Sequence, residues 1–195
     1  MPVKRSAKVH KFHEGAGDDQ LPVFSINIEK EGEGLFGRID VELLVQKAPK
    51  ACEYFLQSCS GSSNGERKGA KRVSYKHNHF LRLTNEGLQV GDRSGVRASS
   101  ALDVENEIGR VSHGMGVISL CRSSSLFDDS FFFCLTNDKA ELESLDKRHA
   151  AFGRVVGGMD TLFALHDDLL PYVKEGCVIE GSPYTISGIL PKMNT

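Results

Sequence analysis

The segment Asp128–Thr136 reads DDSFFFCLT, so three consecutive phenylalanines follow two carboxylates and a serine. Successive side chains of a β-strand point to opposite faces. Phe131 and Phe133 would therefore lie on one face, and Phe132 and Cys134 on the other. A strand with one face in water cannot bury all three rings, and we therefore expect apolar surroundings on both faces.

Similar short apolar runs recur along the chain and are separated by turn signals. They number about eight: VFSINIE, FGRIDVELL, HFLRL, LQVG, GVISLC, FFFCL, AAFGRVV and YTISGIL. Many short strands at close spacing favour a mostly antiparallel barrel over a parallel sheet with crossover helices.

Two segments have the periodicity of helices instead. In APKACEYFLQSCSG, a one-sided apolar stripe follows Pro49, a residue that the first helical turn tolerates, and Gly61 marks the end. The stripe consists of Cys52, Phe55, Leu56 and Cys59. In GGMDTLFALHDDL, Met159, Leu162 and Phe163 share a face. We predict one helix in each segment.

Length and composition indicate a single ordinary globular domain. The chain has 195 residues, 39% of them hydrophobic, and a formal net charge of −2. We expect a flexible N-terminal extension at 1–21 and a barrel domain at 22–195, since apolar patterning begins near residue 22. The five scattered cysteines suggest free thiols in a reducing compartment, either cytoplasm or nucleus.

Two motif matches fail in their context. GEGLFG, at 32–37, matches a dinucleotide-binding fingerprint, but the alternating run that follows predicts a strand where that motif needs a helix. GSSNG, at 61–65, matches a nucleophile elbow but follows a helix instead of a strand. We therefore predict no cofactor, no metal and no covalent catalysis.

The remaining landmarks resemble the cyclophilins, a family of peptidyl-prolyl cis–trans isomerases. APKACEYFLQSC looks like the family's first helix, and YKHNHFLRL looks like its catalytic strand, Y-x-x-x-x-F-H-R. SHGMGVISLCRSSSLFDDSFFFCLT is similar to H-T-G-P-G-x-L-S-M-A-N-x-G-x-N-T-N-G-S-Q-F-F-I-T, and LDKRHAAFGRVVGGMD to L-D-G-x-H-x-V-F-G-x-V-x-x-G-M. The resemblance implies a closed eight-stranded antiparallel β-barrel capped by two α-helices.

The resemblance also implies a groove that binds proline-containing peptides. Arg82 falls on the catalytic arginine, whose guanidinium would stabilise the twisted peptide bond. Phe133 would be the floor of the proline pocket, Phe131 would replace a groove glutamine, and Phe132 would lie in the core. The other implied groove residues are Leu145, His149, Gln89, Cys121 and Arg122.

Several positions depart from the family pattern. RLTNEGLQVGD, at 82–92, is one residue shorter than R-I-I-P-G-F-M-x-Q-G-G-D, and we interpret Leu88 as the counterpart of the pocket methionine. Ser144 replaces a tryptophan tied to ciclosporin binding, and we therefore expect weak affinity for that drug.

Two functions remain open on this basis. The first is a prolyl isomerase of reduced activity, and the second is a non-catalytic proline-peptide-binding module that acts as a scaffold. For either, we expect proline-containing peptides or proteins as partners, a monomer, and no binding to membranes or nucleic acid.

Overall fold

A computed structural model describes residues 21–60, 75–91, 104–123 and 126–192. Eight β-strands lie in these ranges: β1 Val23–Lys30, β2 Gly34–Leu43, β3 His79–Leu83, β4 Gly87–Gly91, β5 Val117–Ser123, β6 Leu126–Cys134, β7 Ala150–Gly157 and β8 Tyr184–Pro191. The predicted extension lies almost wholly outside the described residues, as does GSSNG.

The strands close into a barrel in which every neighbouring pair is antiparallel. Their order around the barrel is β1-β2-β7-β5-β6-β4-β3-β8, and β8 pairs with β1 to complete the circle. The predicted barrel is confirmed. GEGLFG lies at the turn between β1 and β2 and at the start of β2, where Gly32 and Gly34 have φ of 78° and 88°.

Three α-helices accompany the barrel in the described ranges: α1 Pro49–Ser60, α2 Lys139–Arg148 and α3 Met159–Leu169. The predicted helices α1 and α3 form; α1 packs against β7 and β8, and α3 packs against β2. The sequence analysis did not predict α2. None of the helices in the described ranges is both long and apolar enough to span a membrane.

Helix α2 has polar signals in place of an apolar stripe. The Asp138 side chain caps its first turn by accepting a hydrogen bond from Glu141 N at 3.0 Å, and the last turn carries Lys147 and Arg148. Leu145 is its only buried residue. The helix therefore forms through its caps and dipole and contributes little to the core.

The apolar side chains form two separate clusters. The larger fills the barrel and the inner faces of α1 and α3. The smaller has four buried members, Cys121, Phe132, Cys134 and Leu145, with Val117 and Leu142 packed at its edge. It therefore joins α2 to the faces of β5 and β6 that do not contribute to the main core.

A buried carboxylate caps α1 from far along the chain. Glu107 is 2% exposed and accepts hydrogen bonds from Lys50 N and Ala51 N, each at 2.9 Å. The first N–H groups of a helix have no partner within the helix, and the helix dipole favours a negative charge there. Glu107 therefore satisfies two donors and the dipole together.

We expect Glu107→Gln to lower the free energy of unfolding by about 1–3 kcal/mol, because an amide cannot accept both hydrogen bonds through its two terminal atoms. Urea unfolding followed by circular dichroism measures the change. The matched control is Glu105→Gln, which alters a more exposed carboxylate in the same 3₁₀ turn, Glu105–Glu107. Equal stability losses in the two variants would contradict the capping role.

Candidate active site

A recess of about 470 Å³ lies where α2 meets β3, β4, β5 and β6. It combines cationic, carboxylate, hydroxyl and apolar side chains. Its lining residues are Leu81, Arg82, Thr84, Glu86, Gly87, Gln89, Cys121, Arg122, Phe132, Leu145, Arg148 and His149. Six of the predicted site residues are brought together here: Arg82, Gln89, Cys121, Arg122, Leu145 and His149.

Arg82 is exposed on β3, and the tight turn Glu175–Cys177 holds its guanidinium. Nη2 donates to Gly176 O at 2.8 Å, and the backbone of Arg82 forms a bridge with Val178. Gly176 has φ of 72°, a conformation that glycine adopts without steric cost. One of the five N–H donors of a guanidinium is used in this bond. Among the described residues, the hydrogen bond of the guanidinium is therefore to one neutral acceptor, and Arg82 itself lines the recess.

Phe132 is the aromatic ring of the recess, and the predicted sides of the three phenylalanines are wrong. Phe131 and Phe133 are fully buried in the main core, where they pair across β5 with Leu120 and Ile118. The alternation itself is as expected. The larger apolar side is the barrel interior, so two rings point inward and one outward.

Leu88 does not line the recess either. It is fully buried in the main core and pairs with Phe133 across β4 and β6. Its neighbour Gly87 faces the recess. A Cβ at Gly87 would lie 2.0 Å from Phe133 O and 3.0 Å from Phe132 Cδ2. This wall therefore consists of backbone and cannot hold a side chain.

His149 follows α2 and packs an edge against the floor ring, with centroids 5.1 Å apart and planes at 63°. Its Nδ1 lies 3.0 Å from Arg122 N and accepts that N–H. Burial, assisted by the positive charge of Arg148, lowers the pKa of His149 from 6.5 to about 4. The imidazole is therefore neutral at neutral pH.

The remaining predicted residues have different surroundings. Gln89 donates through Nε2 to Ser130 Oγ at 2.7 Å, and Arg122 Nη2 donates to Glu105 Oε1 at 2.9 Å. Ser144 is half-buried on α2 and is not among the lining residues. The recess therefore does not include Ser144, and its predicted place in the groove stays a prediction.

The sequence analysis missed four polar or small lining residues: Thr84, Glu86, Gly87 and Arg148. Arg148 Nη2 donates to Glu86 Oε1 at 2.7 Å, so an ion pair connects α2 to the turn between β3 and β4. Gly87 could have been found from the two-residue period of a β-strand, because it lies two residues before the predicted groove residue Gln89 and so shares its face of β4. Arg148 could have been found only with α2 in place.

The described residues offer no cluster of three or more His, Cys, Asp or Glu side chains that could hold a metal ion. What the recess does offer is an arginine, Arg82, a neutral imidazole and apolar side chains in one lining. Such a site can bind a small apolar ring and place a hydrogen-bond donor next to it.

The barrel and the recess together have the architecture of the cyclophilin class, and sequence comparison supports this. A profile described as cyclophilin type peptidyl-prolyl cis-trans isomerase/CLD matches residues 24–179. The chain belongs to this family.

Individual relatives are similar over part of the chain. Peptidyl-prolyl cis-trans isomerase 4 of Caenorhabditis elegans is 37% identical over 134 residues, which are 65% of this chain and 23% of that protein. Peptidyl-prolyl cis-trans isomerase CYP22 of Arabidopsis thaliana is 34% identical over 62% of this chain and 61% of its own length. Peptidyl-prolyl cis-trans isomerase cyp6 of Schizosaccharomyces pombe is 28% identical over 78% of this chain and 35% of its own length. The chain thus matches less than two thirds of each of these relatives.

We expect His149 to make the protein less stable in acid. Its pKa of about 4 lies below the ordinary value of 6.5, so the unfolded chain binds the proton more readily as the pH falls between these values. Above pH 6.5 the contribution of His149 to the free energy of unfolding is fully present. Protonation of this group alone lowers that free energy by up to about 3 kcal/mol by the time the pH has fallen to about 4. Urea unfolding at about pH 7.5 and about pH 5 should show a smaller loss for His149→Gln than for wild type.

His166→Gln, which removes a histidine on α3 outside the recess, is the matched control for this comparison. The same pH dependence in wild type and His149→Gln would contradict the assignment.

Proposed function

We propose that the protein is a peptidyl-prolyl cis–trans isomerase, which accelerates rotation about Xaa-Pro peptide bonds in protein clients. The observation that best supports this is that Arg82 lines the same recess as Phe132 and Leu145. Family membership and the names of the relatives agree with it.

The reaction needs a hydrogen-bond donor and neither a nucleophile nor a metal. Rotation of a peptide bond faces a barrier of about 18–20 kcal/mol because the twisted state loses amide resonance. As the bond twists, the prolyl nitrogen regains its lone pair and becomes an acceptor. A guanidinium is always charged and geometrically stiff, so Arg82 would stabilise the twisted state more than either planar state.

Apolar contact would hold the proline ring while the acyl side rotates. Phe132 is the floor for this contact, and Leu145 is the side wall from α2. The backbone N–H of Arg122, one of the implied groove residues, already donates to His149. A client would compete for that amide or use other backbone atoms of β5.

The residues Glu86 and Gly87 at the edge of the recess support a reduced isomerase activity. Where the family pattern places a phenylalanine and a methionine, the recess has Glu86 and the bare backbone of Gly87. A buried aromatic ring contributes a large apolar area, so its loss weakens the grip on proline. Weak affinity for ciclosporin, monomeric behaviour and a cytoplasmic or nuclear location stay predictions.

We expect Arg82→Ala to lower kcat/KM for a proline-containing peptide by about 100-fold. Removal of one preorganised hydrogen-bond donor to the transition state has an effect of this size in other enzymes. Arg82→Lys should fall between this variant and wild type, since an ammonium lacks the planar fork. Protease-coupled or exchange NMR assays of cis–trans rates measure the effect.

The matched control is Arg154→Ala, which removes an exposed arginine of β7 that pairs with Glu42 and does not line the recess. A wild-type rate no faster than the uncatalysed rate would favour the non-catalytic binding module. Equal activity of wild type and Arg82→Ala would show that the donor is another residue.

A second prediction separates the recess ring from the core ring. Phe132→Leu should weaken proline-peptide binding by about 10-fold, because an aromatic contact is lost at the floor. Phe133→Leu should lower the free energy of unfolding by about 1–3 kcal/mol and leave peptide affinity unchanged. Calorimetric titration measures the peptide affinity and urea unfolding measures the stability. Weaker peptide binding by Phe133→Leu and lower stability of Phe132→Leu would instead support the prediction from sequence, with Phe133 in the groove and Phe132 in the core.

A further inference from the structure

Behind the floor of the recess lies a chain of three polar side chains, of which two are buried and the third, Asp146, is 30% exposed. His113 Nδ1 is 2.6 Å from Asp146 Oδ1, and His113 Nε2 is 2.6 Å from Ser119 Oγ. The same Asp146 oxygen accepts the backbone N–H of His113 at 2.6 Å. The histidine side chain has no exposed surface. The three residues come from α2, from β5 and from the segment that leads into β5.

These contacts define the proton positions along the chain. The carboxylate of Asp146 can only accept, so Nδ1 of His113 carries the hydrogen. In the neutral ring Nε2 is then an acceptor, and Ser119 Oγ donates to it. Burial lowers the pKa of His113, so the neutral form is the one present at neutral pH. Both ring nitrogens of His113 thus have a partner.

Ser119, His113 and Asp146 have the contacts of a hydrolytic triad, but their position excludes that role. Ser119 is fully buried, and it is not among the residues that line the recess. A nucleophile must reach the carbonyl that it attacks. The serine is therefore sealed within the protein.

What the chain does contact is the floor ring. The imidazole of His113 is stacked on Phe132, with centroids 5.9 Å apart and planes at 13°. Ser119 is the cross-strand partner of Phe132 between β5 and β6. His149 meets the same ring edge-on, and the backbone of Gly87 is close to its Cδ2 edge. Phe132 belongs to a cluster of only four buried apolar residues.

We propose that Asp146, His113 and Ser119 are positioning residues that hold Phe132 in the orientation that binds proline. Asp146 is the residue after Leu145, so one turn of α2 carries both a wall of the recess and the anchor of its floor. A small cluster offers few contacts to fix a ring, and hydrogen bonds of defined direction supply the missing constraint. The inference deepens the proposed function, on which it rests.

The test compares two buried serines that make hydrogen bonds of equal length. Ser119→Ala removes the donor to His113, and the control Ser25→Ala removes a 2.6 Å bond from Ser25 to Asp40 on the far strands β1 and β2. His113→Phe keeps a stacked ring and removes both of its hydrogen bonds. The readouts are the aromatic NMR signals of Phe132, identified with Phe132→Leu, and the Kd, KM and kcat for a proline-containing peptide.

We expect Ser119→Ala and His113→Phe each to shift the Phe132 signals and to raise Kd and KM by about 10-fold, with kcat nearly unchanged. The double variant should be no worse than the more affected single variant, because both break the same chain. Ser25→Ala should lower thermal stability without changing the Phe132 signals or Kd.

Unchanged Phe132 signals and Kd in both recess variants would overturn the proposal and leave the chain a purely structural role. Labelling of Ser119 by a fluorophosphonate probe would overturn it as well. Should the variants fail to fold, nitrogen NMR of wild-type histidine decides, since the proposal requires hydrogen on Nδ1 and none on Nε2 of His113. If the wild-type protein had no isomerase activity, only the proposed function would be contradicted. The positioning of Phe132 would still be tested by its NMR signals and by peptide binding.

Discussion

The two-residue period of β6 is the constraint on which the barrel and its recess both depend. A closed barrel has an inside and an outside, and each strand must serve both. Phe131 and Phe133 enter the core, and between them Phe132 must point the other way. An outward phenylalanine needs a cover, and α2 supplies it through Leu145. The recess is the space that this cover leaves open.

The electrostatics of the recess follow from the same arrangement. Helix α2 ends at the recess, so Arg148 and His149 are placed beside the floor ring, opposite the turn that carries Glu86. In its described contacts the Arg82 side chain is bonded only to a backbone carbonyl, and Arg82 lines the same recess as Phe132 and Leu145. In a recess with little water, a fixed positive charge stabilises the negative charge that develops on an atom in the transition state. It stabilises the ground state less, because that charge is not yet present there.

Much of the fold could be predicted because the signals were local: eight alternating runs, the stripe of α1 and the face of α3. The sides of the three phenylalanines could not, since alternation says which residues share a face and not which face is the interior. Helix α2 was not predicted because its sequence signals are polar and it has no apolar stripe. These signals are the N-cap Asp138 and the basic residues in its last turn. Apolar surroundings were expected on both faces of the strand, but without α2 nothing showed which element covers the outer face. The pairing of His113 with Asp146 joins residues 33 apart and leaves no periodic trace.

The closeness of Gly87 to the carbonyl of Phe133 limits how this protein can change. A point mutation cannot rebuild the missing wall, because any side chain there would push β4 away from β6 and break the sheet at the floor ring. Only an insertion in the preceding turn, which re-routes the main chain, could restore it. An apolar side chain at this wall would therefore require a change of chain length, whereas the partly exposed Glu86 and Arg148 can be replaced by single substitutions.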